Sequence, residues 1–263
     1  MSSPRRATAI VVNGPSSAGK STLCTALHRA LVRRCATDPR LAFFRVAFDD
    51  FLYAVHPSML PRSFLELTGG DLEGCASREP HDGLACFEYV DMTGADDEDT
   101  TDRLARLELS EAGERFLKGQ TAGWGKHLEL GTNLLIDAFL QEKHWADDLR
   151  EAIHISGAKV INVVMTCNQA ELERREKQRG DRFPGMARHS AGVVHKHKHG
   201  ETDLGIDETV STDDAVNSIL HHLDGLEASV NDTRGQAALT AQPGKVIQRL
   251  QRAMESRSRL EAE

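Results

Sequence analysis

Residues 14–22 read GPSSAGKST, with the apolar run Ala9-Ile10-Val11-Val12 before them and the repeat Leu23, Leu27, Ala30, Leu31 after. The stretch matches G-x-x-x-x-G-K-[ST], with Gly14, Gly19, Lys20 and Ser21 in the fixed places. It lies between a strand pattern and a helix pattern, the setting a phosphate-binding loop requires. A loop that turns sharply into a helix aims several backbone N–H groups at one point, and the helix dipole adds positive potential there. Gly14, Ser16, Ser17, Ala18, Gly19, Lys20, Ser21 and Thr22 are therefore expected to cradle a nucleotide's phosphates. Lys20 brings a point charge to the outer phosphates, and the Ser21 hydroxyl is the expected protein ligand of Mg²⁺.

Outward from the loop, five short apolar or β-branched runs alternate with helical patterns. They are Ala9 to Asn13, Ala42 to Phe48, Asn133 to Ile136, Val160 to Thr166 and Asp203 to Ile206. Near-continuous apolar strands separated by helices predict an α/β fold, a five-stranded parallel sheet with helices on both faces. Ligands of such sheets bind at the carboxyl ends of the strands. Carboxylates stand there at Asp49-Asp50, Asp137 and Asp207. Helices are expected over about 110–130, with Leu117 and Trp124 on the apolar side, and about 142–153.

The main domain, which carries the loop, is expected to span residues 1–225. Residues 53–110 are long, Gly-rich and acidic, too long for a simple crossover, and read as an inserted substrate-facing lobe. Within it the run Gly94-Ala95-Asp96-Asp97-Glu98-Asp99 has the composition of a solvated loop tip. Residues 226–263 form a polar tail in which Val246, Leu250 and Met254 recur at helical spacing, a candidate helix for self-association into a homo-oligomer.

Composition excludes several classes. The formal charge of −8 over 263 residues argues against nucleic acid or an anionic membrane as partner. No apolar run reaches the ~18–20 residues of a membrane span. The start, MSSPRR, lacks the apolar segment of a signal peptide. Five scattered cysteines without a C-x-x-C pair suggest neither a disulfide framework nor a zinc ribbon and fit a reducing, cytoplasmic setting.

The carboxylates narrow the chemistry from nucleotide binding to phosphoryl transfer. An acceptor hydroxyl beside the γ-phosphate must lose a proton, and a carboxylate at the end of the strand next to the loop can take it. Asp49 and Asp50 stand there, and because side chains alternate along a strand, one of the two is expected to face the acceptor. Asp137 ends the run Leu134-Leu135-Ile136 and is assigned to Mg²⁺, through water, or to the substrate. After the fourth strand, Arg175, Arg179 and Arg182 are spaced i, i+4, i+7 and are read as a lid, within about 174–200, that neutralises charge on the transferring group. Gly180 can instead break that helix. His189, His195, His197 and His199 are interleaved with lysines, without the acids or cysteines of a transition-metal site, and read as solvated lid residues.

Several of these segments together resemble the chloramphenicol phosphotransferase-like family of P-loop kinases. The loop N-G-P-S-S-A-G-K-S at Asn13–Ser21 is similar to the family's N-G-G-S-S-A-G-K-S. R-E-K-Q-R-G-D-R-F-P-G-M-A, Arg175 to Ala187, is similar to its R-E-x-x-R-G-D-R-x-x-G-M-A. The likeness spans about 8–225. It implies a P-loop kinase fold like that of the adenylate and shikimate kinases and ATP-dependent phosphorylation of a small-molecule hydroxyl. By the same resemblance the base falls on Asp49, or on Asp50 counting back from Pro57, and the lid arginines on Arg175, Arg179 and Arg182. Pro15 in place of a glycine, Asp137-Ala138 in place of paired acids, and the longer acidic lobe point away from chloramphenicol as the acceptor.

The reading is an ATP:alcohol phosphotransferase with Mg²⁺. Its rivals are a metabolite or nucleic-acid-end kinase of the same fold, and a nucleotide-binding switch without an acceptor. The acids at strand two and the arginine cluster favour the kinase.

Overall fold

The computed structural model describes residues 6–36, 41–50, 85–93, 104–179, 183–194 and 202–240. Its elements, in order, are β1 (Thr8–Asn13), α1 (Lys20–Cys35), β2 (Phe43–Ala47), β3 (Phe87–Asp91), β4 (Ala105–Leu109), α2 (Glu111–Glu129) and β5 (Asn133–Ala138). They continue with α3 (Lys143–Ser156), β6 (Lys159–Met165), α4 (Gln169–Arg179), α5 (Met186–Val193), β7 (Leu204–Ile206) and α6 (Thr212–Thr240).

The five expected strands form one sheet in the order β2-β5-β1-β6-β7. Every pairing in it is parallel. β1 lies at its centre and is buried along its whole length, as its unbroken apolar sequence requires. The chain leaves β1 between β5 on one side and β6 on the other, so the strand order reverses there and a crevice opens at its carboxyl end. The phosphate loop occupies that crevice.

One expectation shifts in detail. β5 runs to Ala138, so Asp137 lies inside the strand, not after it, in register with Val12 of β1 and with Ala47 of β2. It is buried at 7% exposure.

The helix pattern around 110–130 is α2. Ser110 caps it by accepting the Gly113 N–H at 3.3 Å. Leu117 and Trp124 enter the core with Phe87, Leu134, Ile136, Leu140 and Leu149. Phe48 meets the Trp124 ring edge-on at 5.4 Å. That contact anchors the chain immediately before Asp49. α3 packs on α2 where Gly125 lets the Ala152 carbonyl approach; a Cβ at Gly125 would sit 2.9 Å from that oxygen.

The long connection between β2 and α2 contains an antiparallel hairpin, β3–β4, pairing Phe87 with Leu109 and Asp91 with Ala105. The period-two alternation of Phe87, Tyr89 and of Ala105, Leu107, Leu109 carries its signal. The acidic run 94–99 lies outside the described residues.

By internal contacts the chain divides into Met1–Val216 and Asn217–Glu263. α6 is helical through Gly225 to Thr240, and the Val246, Leu250, Met254 repeat lies outside the described residues. Among the described residues no helix is long and apolar enough to cross a membrane. Cys24, Cys35, Cys86 and Cys167 are free thiols.

Candidate active site

Two glycines set the shape of the phosphate loop. Gly14 lies hard against β6: a Cβ there would stand 2.8 Å from the Met165 carbonyl oxygen and 3.0 Å from the Met165 Cβ. Gly19 has φ +97°, a left-handed conformation that a side chain would strain, and it is the residue from which α1 springs. No side chain caps α1 and no acid sits in its first turn. A helix start of that kind can hold an anion on its orphan amides.

Lys20 arches back over the loop. Its Nζ donates to the carbonyls of Gly14 at 2.9 Å and Pro15 at 2.8 Å, and it lies 5.4 Å from the centre of the Phe139 ring. Ser21 and Thr22 are exposed on the first turn of α1. Ser16 does not offer its amide to a ligand: that N–H donates to Ser190 Oγ of α5 at 2.9 Å.

Two clefts meet at the loop. The first, about 260 Å³, lies toward β2 and the hairpin and is lined by Lys20, Arg45, Asp49, Asp50, Asp137 and the apolar side chains Tyr89, Leu107, Phe139 and Met186. The second, about 580 Å³, lies toward β7 and is lined by Met165, Arg175, Gln178, Ile206, Glu208 and Val210. Ser17, Gly19, Ser21, Thr22 and Arg179 line both.

The two acids after β2 differ. Asp50 is exposed, and its Oδ2 accepts the Ala47 N–H at 2.7 Å, closing a turn at the end of the strand. Asp49 is half-buried at the wall of the first cleft. Asp137 is engaged as well. Arg45 donates from Nη2 to Asp137 Oδ2 at 2.9 Å and from Nη1 to Thr25 Oγ1 at 2.9 Å. Alternation along β2 turns Arg45 toward the loop, and the sequence reading missed it because a lone arginine in a strand has no motif. Burial and the charge of Asp137 push the Cys24 thiol far up, so this cysteine is an inert part of the wall.

The arginine segment is only partly as expected. α4 ends at Arg179, so Arg175 and Arg179 share a face one turn apart, while Arg182 lies outside the described residues. Arg175 reaches the loop directly, its Nη1 donating to the Ala18 carbonyl at 3.2 Å, and its Nε is held by Glu171 at 2.7 Å. Hydrogen bonds from Arg174 and then Arg175 hold the Glu171 carboxyl down at about 2.

The segment that follows is a packed helix. Met186, Ala187, Ser190 and Val194 are buried. Glu176, 7% exposed, accepts the Gly185 N–H at 2.9 Å and the Ala187 N–H at 2.7 Å, placing a carboxylate on the N-terminus of α5. That is the structural work of the glutamate and glycine in R-E-x-x-R-G-D-R-x-x-G-M-A. Phe183 stacks on Tyr89 at 5.4 Å, and the Gly185 carbonyl accepts the Ala105 N–H at 3.3 Å, so α5 also buttresses the hairpin. His189 is half-buried, not solvated as expected, and burial followed by the nearby Arg106 lowers its pKa. His195, His197 and His199 lie outside the described residues.

Comparison with known proteins gives the family and the fold. The model of the family described as chloramphenicol phosphotransferase-like protein matches residues 7–224. A Mycobacterium tuberculosis protein named "Putative O-phosphotransferase Rv2636" is 26% identical over 202 residues, covering 77% of this chain and 75% of that protein. Among solved structures, the Mycobacterium tuberculosis APS kinase CysC in complex with AMPPNP and APS superposes with a TM-score of 0.50 at 14% identity, covering 84% of this chain and 99% of that one. A gluconokinase from Sinorhizobium meliloti 1021 gives a TM-score of 0.48 at 15% identity, covering 87% and 98%. The fold is that of the P-loop kinases.

Proposed function

The chain belongs to the chloramphenicol phosphotransferase-like family, and we propose on that premise that it moves the γ-phosphate of ATP to a hydroxyl of a small molecule. The observation that carries this reading is the pair of clefts meeting at one loop apex. A nucleotide switch needs one cleft; a phosphotransferase needs a donor site and an acceptor site that share the point of transfer.

The base and ribose of ATP take the larger cleft, against Met165, Ile206 and Val210. The phosphates run along the loop to the amides at the start of α1 and to Lys20. Arg175 and Arg179 counter their charge. Mg²⁺ suits this site: it wants few protein oxygens beside phosphates and water, and the Ser21 hydroxyl with Asp137, through water, supplies them. When bound, the ion neutralises charge on the phosphates. Among the described residues no three His, Cys, Asp or Glu side chains gather as a self-sufficient metal cage.

The acceptor takes the smaller cleft. Asp49 receives the hydroxyl proton, because the Asp50 carboxylate is turned onto the Ala47 N–H. The acceptor oxygen bonds to the γ-phosphorus as the bridging P–O bond breaks, and the electron pair leaves with ADP. Tyr89, Leu107, Phe139 and Met186 offer an apolar wall. Arg45 is committed to Asp137, and Lys20 and Arg179 serve the phosphates, so the cleft has little spare positive charge. The acceptor is accordingly a neutral or cationic hydroxylated molecule with an apolar face; the departures at Pro15, at Asp137-Ala138 and in the acidic lobe point away from chloramphenicol itself.

Transfer from γ-labelled ATP with Mg²⁺ to chloramphenicol, an aminoglycoside, a sugar acid and a 5′-hydroxyl oligonucleotide tests this. Label should reach the cationic aminoglycoside ahead of both anionic acceptors, and Lys20→Ala should abolish it. Efficient turnover of chloramphenicol or of an anionic acceptor would overturn the acceptor class. Activity of Lys20→Ala within tenfold of wild type would overturn the phosphate-loop assignment.

A further inference from the structure

The β3–β4 hairpin gives the smaller cleft two of its apolar side chains, Tyr89 and Leu107, which stand opposite each other in its register. The edge of β4 that faces away from β3 is closed at two points. The Ala105 N–H donates to the Gly185 carbonyl at 3.3 Å. At Leu107 one side chain meets both backbone groups. The Leu107 N–H donates to Gln141 Oε1 at 3.3 Å, and Gln141 Nε2 donates to the Leu107 carbonyl at 2.8 Å. Gln141 therefore stands in for the peptide group of a neighbouring strand. It is 2% exposed, and only this orientation of its amide gives each Leu107 group a partner.

The two closures reach every apolar side chain of the cleft. Leu107 is held directly, and Tyr89 pairs with it. Phe139 lies two residues before Gln141, and Met186 directly follows Gly185. The chain beside Gln141 is fixed from the sheet as well, since the Leu140 N–H donates to Asn13 Oδ1, at the end of β1, at 3.3 Å. The hairpin is thus tied to the central strand through residues 140 and 141. The Gly185 closure is backbone to backbone and needs no particular side chain. The Gln141 closure needs this one. A leucine there would fill the space and leave two buried backbone groups of Leu107 unanswered.

We propose that Gln141 is a positioning residue that sets the acceptor cleft. Acting through Leu107 and Tyr89, it fixes how far the apolar wall stands from Asp49. It thereby governs how tightly a hydroxylated molecule is held for transfer. Nucleotide binding does not depend on it, because the larger cleft is lined by other residues. This rests on the phosphotransferase reading above.

Two variants test the amide. Gln141→Leu keeps its bulk and removes both hydrogen bonds. Gln141→Glu supplies the donor and the acceptor that Leu107 meets only while its carboxyl is protonated. Burial favours that form, as does the Glu142 carboxylate, whose Oε1 lies 3.4 Å from Gln141 Nε2. The assay is transfer from γ-labelled ATP with Mg²⁺ to the aminoglycoside kanamycin, or to another of the four acceptors above if the label goes there instead. In Gln141→Leu the acceptor KM should rise about 10–100-fold, the scale of a small misplacement, while ADP binding by calorimetry stays within about threefold of wild type. In Gln141→Glu the acceptor KM should be raised at about pH 8.5 and return toward the wild-type value at about pH 5.5. Gln141→Leu, compared with wild type at each pH, should show no such return. Hydrogen exchange at Leu107 should be faster in Gln141→Leu, with β1 unchanged.

An acceptor KM near wild type in Gln141→Leu, an equal loss of ADP affinity, no recovery of Gln141→Glu at low pH, or unchanged exchange at Leu107 would each overturn the proposal and leave the phosphotransferase reading standing. Failure of wild type to label any of the four acceptors would overturn both.

Discussion

Arg45 Nη2 donates to Asp137 Oδ2 at 2.9 Å, joining two adjacent parallel strands just below the phosphate loop. The carboxylate is 7% exposed and the guanidinium 29%. Removing the arginine leaves a nearly buried charge without its partner. Arg45→Met should cost about 2–3 kcal/mol in chemical denaturation, short of the ~3–5 kcal/mol of fully buried pairs because Arg45 keeps contact with water. The double variant Arg45→Met/Asp137→Asn should recover part of that loss. If Asp137 also serves Mg²⁺, Asp137→Asn should raise the magnesium needed for activity at least tenfold, and Arg45→Met should not. An equal magnesium requirement in both single variants would confine Asp137 to the ion pair.

The two acids after β2 should separate by readout. Asp49→Asn should lower the chemical step about 10²–10⁴-fold, the usual worth of a general base, with nucleotide affinity kept. Asp50→Ala should cost about 1 kcal/mol of stability through the lost Ala47 hydrogen bond, with a smaller effect on rate. The reverse pattern in kcat would move the base to Asp50.

Glu176 holds α5 to α4 through two amides. Glu176→Ala strands both donors in a buried place and should cost about 2–4 kcal/mol, at about 1–3 kcal/mol for each unmet group. Because α5 carries Ser190, which accepts the Ser16 amide, the variant should also loosen the loop. Hydrogen exchange would show this as faster exchange at Ser16 than in wild type. Unchanged exchange there would mean that the loop keeps its shape without α5.

His189 has its pKa pushed below the ordinary 6.5, by burial first and then by Arg106, with Glu142 opposing. A depressed histidine binds its proton more readily in the unfolded chain. Stability therefore rises with pH up to the unfolded value near 6.5 and falls as pH drops below it. Denaturation midpoints between pH 7.5 and 5.5 should decline in wild type, and the decline should be shallower in His189→Gln. Identical slopes would remove His189 from the pH response.

The local parts of the protein were legible in its sequence. Gly14 and Gly19 mark the loop because a close approach and a left-handed φ exclude side chains. The five apolar runs mark the strands, since a strand buried on both faces can carry no polar alternation. Ser110 marks the start of α2 through the capping bond its side chain makes. Each signal comes from sterics or hydrogen bonding within a few residues.

Other features had no local signature. The hairpin β3–β4 was written in a weak alternation inside a long polar stretch and took on meaning only beside Tyr89, Phe183 and α5. The α5 helix, among charged neighbours, reads as lid until Glu176 and Ser190 tie it down. Above all, the order β2-β5-β1-β6-β7 brings Arg45 to Asp137 across 92 positions and Ser16 to Ser190 across 174. Sequence by itself determined the five strands of the parallel sheet and the phosphate loop, because short-range backbone geometry specifies them. Tertiary structure decided which arginine is tied to Asp137 and which loop amide is already spoken for, because those depend on strand order and on contacts between residues far apart in the chain.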